Sequence, residues 1–331
     1  MKDIFLKTAI IRSKIRKWFE SNQFIEVRTS SLSFSSGFDI YIKPFKISLD
    51  EKEKRELFLI TSPEFEMKGL LAEGLSKIWQ ITRVFRKEEI DSTHRPDFDM
   101  LEWYKKGCDY KEIMQDTEDL IRTAVLSVAP SGKVYRNKNK YDFSKPFEKI
   151  SLPDIFFDRT GLDLAKLQDK ETFFEAASSS GFSHITENYS WDDIFFTIFL
   201  TKVEPEILRI EHPVLLYDFP YQIISLAKRC KERPQFVERF ECYGAGLELC
   251  NGYTELADWN EHLKRFEELK KIKKIKNFEE PPFPSDLEKF IKKGIGLCSG
   301  VAIGMERLFM AALSCNDIKQ VIFNDLFIRG E

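Results

Sequence analysis

An α+β fold, with one large antiparallel sheet and helices around it, is what this sequence predicts. Three observations carry that expectation. Strand-like apolar runs are separated by long stretches, few of them alternate as βαβ units, and residues 237–256 read as two strands joined by a glycine turn. A chain of 331 residues, 43% hydrophobic and 32% charged, can bury the core that such a sheet needs.

The elements follow in order. Leu6, Ile10, Ile11, Ile15, Trp18 and Phe19 recur at helical spacing with Lys and Arg opposite, so residues 1–20 read as an amphipathic helix. That pattern is neither a signal peptide nor a span. Residues 24–28 read as a strand, and strands at 57–60 and 77–86 flank a helix at 64–74. A strand at 98–105 and a helix at 110–128 come next. The segment 130–150, rich in Lys, Asn and Ser, suggests an exposed hairpin or loop, and 172–208 reads as mostly helical. Strands return at 213–217 and 237–256, a charged helix fills 258–276, and a strand-helix pair spans 296–314. No domain boundary stands out, so residues 1–331 are read as a single domain. No later apolar run approaches the ~20 residues of a transmembrane helix, and a cytoplasmic protein is expected.

Charge and cysteine content exclude several classes. A net charge of −3 argues against a surface built mainly to hold polyanions. The six cysteines show no C-x-x-C pair and the four histidines no metal-ligand cluster, which reads as reduced thiols. The basic stretch from Lys264 to Lys276 reads as a solvated helix face balanced by Glu261, Glu267 and Glu268, with a docking surface for an acidic partner as the alternative.

Three constellations carry chemistry. In the first, Arg86-Lys87-Glu88-Glu89 leaves one apolar run, and His94-Arg95-Pro96-Asp97-Phe98 leads into Met100-Leu101-Glu102-Trp103-Tyr104. Such a strand pair can present a phosphate-binding cation, a base-reading carboxylate and a stacking ring to one nucleotide. In the second, a Gly244-Ala245 hairpin loop would pair Tyr243 with Gly246 and set Glu241 opposite Glu248. Facing carboxylates repel unless something positive lies between them. A hard cation such as Mg²⁺ shared with substrate phosphates would remove the conflict; otherwise both point to solvent. By period two, Asn251, Tyr253 and Glu255 share a face suited to a cationic amino acid, and Glu248 joins it only through a bulge or twist near Gly252. In the third, Gly300 and Gly304 permit close approach to the backbone, and Arg307 falls in the first turn of the next helix. No Walker loop and no strand-linked G-x-G-x-x-G occurs.

Read together, Thr61-Ser62-Pro63-Glu64, Phe85 to Glu89, Met100 to Tyr104, Glu248 to Glu255 and Gly304 to Arg307 resemble the catalytic domain of class II aminoacyl-tRNA synthetases, lysyl branch. The resemblance runs over nearly the whole chain. It implies that Arg86 holds the α-phosphate of ATP, that Glu88 reads the adenine amino group, and that Phe98 and Arg307 sandwich the ring. His94, Leu249 and Gly304 would complete the nucleotide site, and Glu241 and Glu248 would bind Mg²⁺. Ser62, Pro63, Glu64, Glu102, Tyr104, Asn251, Tyr253, Glu255 and Ala302 would line the amino-acid pocket.

Lysyl enzymes carry an anticodon-binding barrel before this core, whereas here Met1 leads straight into the first catalytic-domain helix. The chain therefore resembles the truncated lysyl-synthetase paralogues that modify a lysine of translation elongation factor P, without anticodon recognition. Ala302 stands where lysyl-tRNA synthetases typically have glycine, which accords with (R)-β-lysine as the substrate and leaves lysine open. A stand-alone lysyl-tRNA or amino-acid ligase and a silent regulatory paralogue are the alternatives. Lys87 and Arg95 replace family asparagines and add positive charge beside the nucleotide, and Glu306 replaces an aspartate. Ser30 replaces a proline at the interface of the homodimer that the resemblance implies.

Overall fold

The structure is a computed structural model, and it describes residues 1–48, 56–87, 90–223 and 225–323. Its main sheet has eight strands: β1 (Ile25–Glu26), β2 (Lys77–Phe85), β3 (Asp97–Lys106), β4 (Glu148–Ser151), β5 (Val214–Pro220), β6 (Phe236–Gly244), β7 (Leu247–Thr254) and β8 (Cys298–Gly304). Their order across the sheet is β1-β2-β3-β8-β7-β6-β5-β4. The pairs are antiparallel except at the two edges, where β1 runs parallel to β2 and β4 parallel to β5. The predicted α+β architecture therefore holds, with parallel edge pairs that the sequence reading did not include.

Alternation along the strands separates two faces. Leu101 and Trp103 of β3 point into the largest hydrophobic core, which α1 (Lys2–Ser21) and α3 (Tyr110–Leu126) cover with Ile11, Ile15, Phe19, Ile113, Leu120 and Ile121. The C-terminal helix α6 (Met305–Ala312) closes that side with Leu308 and Phe309. Glu102 and Tyr104, the intervening residues of β3, face the other way. There α2 (Glu64–Ala72), α4 (Trp259–Ile275) and α5 (Ser285–Lys293) roof part of the sheet through Met67, Leu71, Phe266, Leu269, Leu287 and Ile291. Helix α3 begins where it does because Asp109 and Glu112 form a reciprocal capping box. Helix α5 had no counterpart in the sequence reading; it follows a proline-rich approach and buries Leu287 and Ile291 one turn apart.

Two sequence expectations change. The apolar set of α1 is divided: Ile11, Ile15 and Phe19 are buried, whereas Leu6 and Ile10 are exposed. The basic helix α4 is not purely solvated, because Arg265 is buried against the Tyr221 ring (3.6 Å from its centroid) and Lys273 is also buried. The stretch 172–208 resolves into Lys170–Ser179, Trp191–Ile198, a π-turn at Phe199–Val203 and Glu204–Ile207. The segment 130–150, expected as an exposed hairpin or loop, holds a short hairpin, Lys133–Arg136 with Asn139–Asp142, that buries Val134 and Tyr141. All six cysteines are free.

Candidate active site

Strand register assembles the site. Gln80, Glu102, Ala302, Asn251 and Glu241 stand directly opposite one another across β2, β3, β8, β7 and β6. Two residues further, Ile78, Tyr104, Gly300, Tyr253 and Arg239 form a second row on the same face. Segments up to about two hundred residues apart thus meet on a rigid floor. Glycine is required at position 300: a Cβ there would lie 2.4 Å from Tyr104 Cε1 and 2.8 Å from Glu255 Oε1.

The first cavity, of about 160 Å³, lies over these rows and is lined by Ser62, Glu64, Glu102, Tyr104, Asn251, Tyr253, Glu255 and Ala302 among others. Pro63 stands just outside the wall as the N-cap of α2. Ser62 Oγ donates to Glu102 Oε2 (2.9 Å) and the Tyr104 hydroxyl to Glu102 Oε1 (2.6 Å). The Tyr253 hydroxyl donates to Glu64 Oε1 at 2.6 Å. Burial, reinforced by the Glu64 charge, pushes the Glu102 carboxyl up to about 7. Three carboxylates, Glu64, Glu102 and Glu255, thus line one pocket.

The second cavity, of about 370 Å³, is lined by Arg86, His94, Phe98, Glu241, Glu248, Leu249, Gly304 and Arg307 among others. Arg86 sits 5.3 Å from the Phe98 ring centroid, and its Nε donates to the Thr61 carbonyl (3.2 Å). Arg307 donates through Nη1 to the Glu248 carbonyl (3.1 Å) and through Nη2 to His94 Nε2 (2.6 Å). Because a guanidinium only donates, His94 accepts at Nε2 and its Nδ1–H faces Asp91 Oδ2 at 2.8 Å. At Gly304 an added Cβ meets nothing within 4 Å, so it would project into open space. Arg95 lines this cavity, whereas Lys87 is exposed and lies outside its wall. Glu306, buried, accepts both contacts from the Asp99 amide (3.1 and 3.2 Å). Glu88 lies outside the described residues. The two cavities meet at Arg86, Met100, Arg239, Asn251 and Ala302.

The β6–β7 hairpin corrects the expected pairing. Glu241 faces Asn251, and Glu248 faces Tyr243; Gly244 pairs with Leu247. The loop residues are Ala245 and Gly246, both at positive φ (54° and 68°), as a type I′ turn demands. Leu249 is the extra residue of a bulge, which turns Glu248 onto the face of Asn251. The expected change of parity exists, but at Leu249 and not near Gly252. Burial decides this register, since Ala245, Leu247 and Leu249 all enter the core. Arginines supply the positive charge: Arg239 bonds Glu241 Oε1 (2.7 Å) and Asn251 Oδ1 (3.0 Å), while Arg307 lies 3.4 Å from Glu248 Oε2.

The profile of class II tRNA synthetases (D, K and N) matches residues 1–324. The chain belongs to that family. As a class II synthetase-family protein it is similar to elongation factor P–(R)-β-lysine ligases. It is 34% identical to that of Yersinia enterocolitica over 321 residues, 96% of this chain and 93% of the relative. With the protein of the same name from Haemophilus ducreyi it shares 36% identity over 322 residues (96% and 92%). The Pseudoalteromonas translucida ligase is 34% identical over 322 residues (96% and 94%).

In this class II chain, three residues in or beside the two cavities escaped the sequence reading. Lys68 is fully buried between Glu64 and Glu255, at 2.6 Å from each. Its signal was the i, i+4 spacing from Glu64 on α2. Arg239 joins the two cavities and shares its face with Glu241 and Tyr253, which period two along β6 makes visible only once the register is known. Glu204 begins a short helix near the Glu248 carboxylate; burial and that neighbouring charge raise it.

Proposed function

We propose that this protein activates (R)-β-lysine or lysine with ATP as an aminoacyl-adenylate and transfers it to a lysine side chain of translation elongation factor P. The observation that carries the reading is the continuity of the two cavities: a carboxylate-walled pocket opens onto an arginine-lined one at Arg86, Arg239, Asn251 and Ala302. The names of the relatives supply the acceptor.

In this reading the amino-acid ammonium groups lie against Glu64, Glu102 and Glu255, with Tyr104, Tyr253 and Asn251 fixing their direction. The carboxylate then points to the junction, where Arg86 holds the α-phosphate. In-line attack of a carboxylate oxygen on the α-phosphorus forms the mixed anhydride and expels pyrophosphate. The ε-amine of the acceptor lysine next attacks the acyl carbon, forms the amide, releases AMP and gives up a proton. Positioning and fixed cations drive both steps, and no side-chain nucleophile is needed. Glu241 and Glu248 carry hard carboxylate oxygens of the kind Mg²⁺ takes, and Glu241 would have to exchange its contacts from Arg239 (2.7 Å) and the Tyr243 hydroxyl (2.6 Å) to hold it. Among the described residues no group of three or more His, Cys, Asp or Glu side chains could hold a metal ion. The two glutamates would hold the cation on the side of the nucleotide phosphates, where it would offset their charge. The adenine would stack between Phe98 and Arg307, with Glu88, His94 and Leu249 beside it.

A homodimer is part of the same proposal, resting on the family resemblance. No helix among the described residues is long and apolar enough to cross a membrane, and the acceptor chemistry belongs to the cytoplasm.

The test offers the purified protein ATP, Mg²⁺ and either amino acid, with elongation factor P and total tRNA as competing acceptors. A lysyl-sized mass gain on the factor and uncharged tRNA are expected; charged tRNA with an unmodified factor would overturn the reading. Ala302→Gly, which removes a methyl from the pocket floor, should move the preference from (R)-β-lysine toward lysine by about tenfold, and an unchanged ratio of kcat/KM would refute that role. Gly304→Ala should fold normally, since φ is −73° and the Cβ meets open space, yet raise the ATP KM about tenfold or more. Thermal melting and nucleotide titration separate the two effects. With Glu102 at about 7, its carboxylate form is lost as the pH falls. Amino-acid KM should therefore rise about tenfold per pH unit below about pH 7, while a flat profile would remove Glu102 from ammonium binding.

A further inference from the structure

Lys68 stands one turn after Glu64 on α2 and has no exposed surface. Placing an ammonium there is costly unless it is paired. Its Nζ lies 2.6 Å from Glu64 Oε1 and 2.6 Å from Glu255 Oε2, and 5.9 Å from the Tyr253 ring centroid. Lys68 is not in the wall that a ligand meets; Glu64, Glu102 and Glu255 are. It acts from behind two acceptors. Glu255 Oε1 is buried and has no hydrogen-bond partner among the described residues, and it lies against the cavity floor at Gly300. Three carboxylates around one fixed ammonium leave two negative charges for a ligand.

We propose that Lys68 is a positioning residue that fixes Glu64 and Glu255 as two separate, oriented carboxylates, so that the pocket requires an amino acid with two ammonium groups. The inference rests on reading this cavity as the amino-acid pocket. A lone ammonium would leave one buried carboxylate uncompensated, which is the discriminating penalty. The groups facing Lys68 are Glu64 on its own helix, Glu102 and Tyr104 on β3, Tyr253 and Glu255 at the end of β7, His262 on α4 and Cys298 on β8. Burial holds the His262 imidazole down at about 4, and pushes Cys298 and both tyrosines up, so these stay neutral. Burial also raises Glu255, against the opposing pull of Lys68, and raises Glu102.

The experiment compares the full-length wild type with Lys68→Met in ATP–pyrophosphate exchange, using lysine, (R)-β-lysine and norleucine from about pH 6 to 9. The variant should raise KM for both diamino acids about 100-fold while ATP KM stays within about twofold. Its preference for lysine over norleucine should fall about tenfold, and the acid limb of kcat/KM should move to higher pH. Lys68→Arg should recover part of the preference. An unchanged preference and pH limb, with only a lower melting temperature, would overturn the proposal. Because losing a buried cation also threatens folding, a second measurement uses the wild type alone: calorimetric titration with lysine at about pH 7 in buffers of different ionisation enthalpy. Release of about one proton or less is expected, and release of two or more would mean that Lys68 does not keep Glu64 and Glu255 ionised. If the wild type activates neither diamino acid, the functional reading falls and this inference with it; a normal wild type with an indifferent Lys68→Met variant sinks this inference alone.

Discussion

Replacing Arg86 with alanine should slow adenylate formation about 10³-fold, with a much smaller change in amino-acid KM. Arg86 is one of the few side chains common to both cavities, at the junction where a carboxylate and an α-phosphate would meet. Its guanidinium is already oriented by the Phe98 ring and the Thr61 carbonyl, so it need not reorganise as charge develops on the phosphoryl oxygens. Arg86→Lys should recover little, because a point charge lacks the planar fork. ATP–pyrophosphate exchange measures the step. A loss confined to KM would mean that Arg86 binds substrate and does nothing more in the transition state.

Glu255→Gln should be the most damaging change in the amino-acid pocket, raising KM for the diamino acid by about 10²–10³-fold. The side chain is buried at the end of β7, with Oε2 against Lys68 and Oε1 toward the cavity floor. An amide there keeps the shape but leaves Lys68 with Glu64 alone and offers a substrate ammonium no charge. The loss should appear for lysine and (R)-β-lysine alike and leave ATP binding intact, as isothermal titration with each ligand would read. Equal weakening of ATP would point instead to collapse of the sheet floor, because Tyr104 and Gly300 pack beside this carboxylate.

Much of the site was legible because its residues alternate on strands whose ends are marked by glycine and charge. Asn251 and Tyr253 lie two apart on β7, so period two put them on one face before any contact was known, and Glu102 and Tyr104 on β3 follow the same alternation. The limits were set by pairing. Expecting glycine first in the 244–247 turn displaced the loop by one residue and put Glu241 opposite Glu248. Burial of Ala245, Leu247 and Leu249 in the core outweighs the modest cost of holding Ala245 at positive φ, and it moves the register and creates the bulge. Lys68 escaped for a related reason: its second partner, Glu255, is far along the chain, and a lysine on a helix ordinarily faces water.

The sequence by itself determined the α+β class, most strands and helices of the main fold, the lysyl-type motifs and the set of acidic, aromatic and arginine side chains that chemistry would need. Those follow from local periodicity, turn residues and side-chain type. Only the tertiary structure decided which carboxylate faces which cation: Arg239 on Glu241, Arg307 beside Glu248, and Lys68 between Glu64 and Glu255. Such pairings depend on strand register and on burial, which vary with the whole core and are written in no single segment.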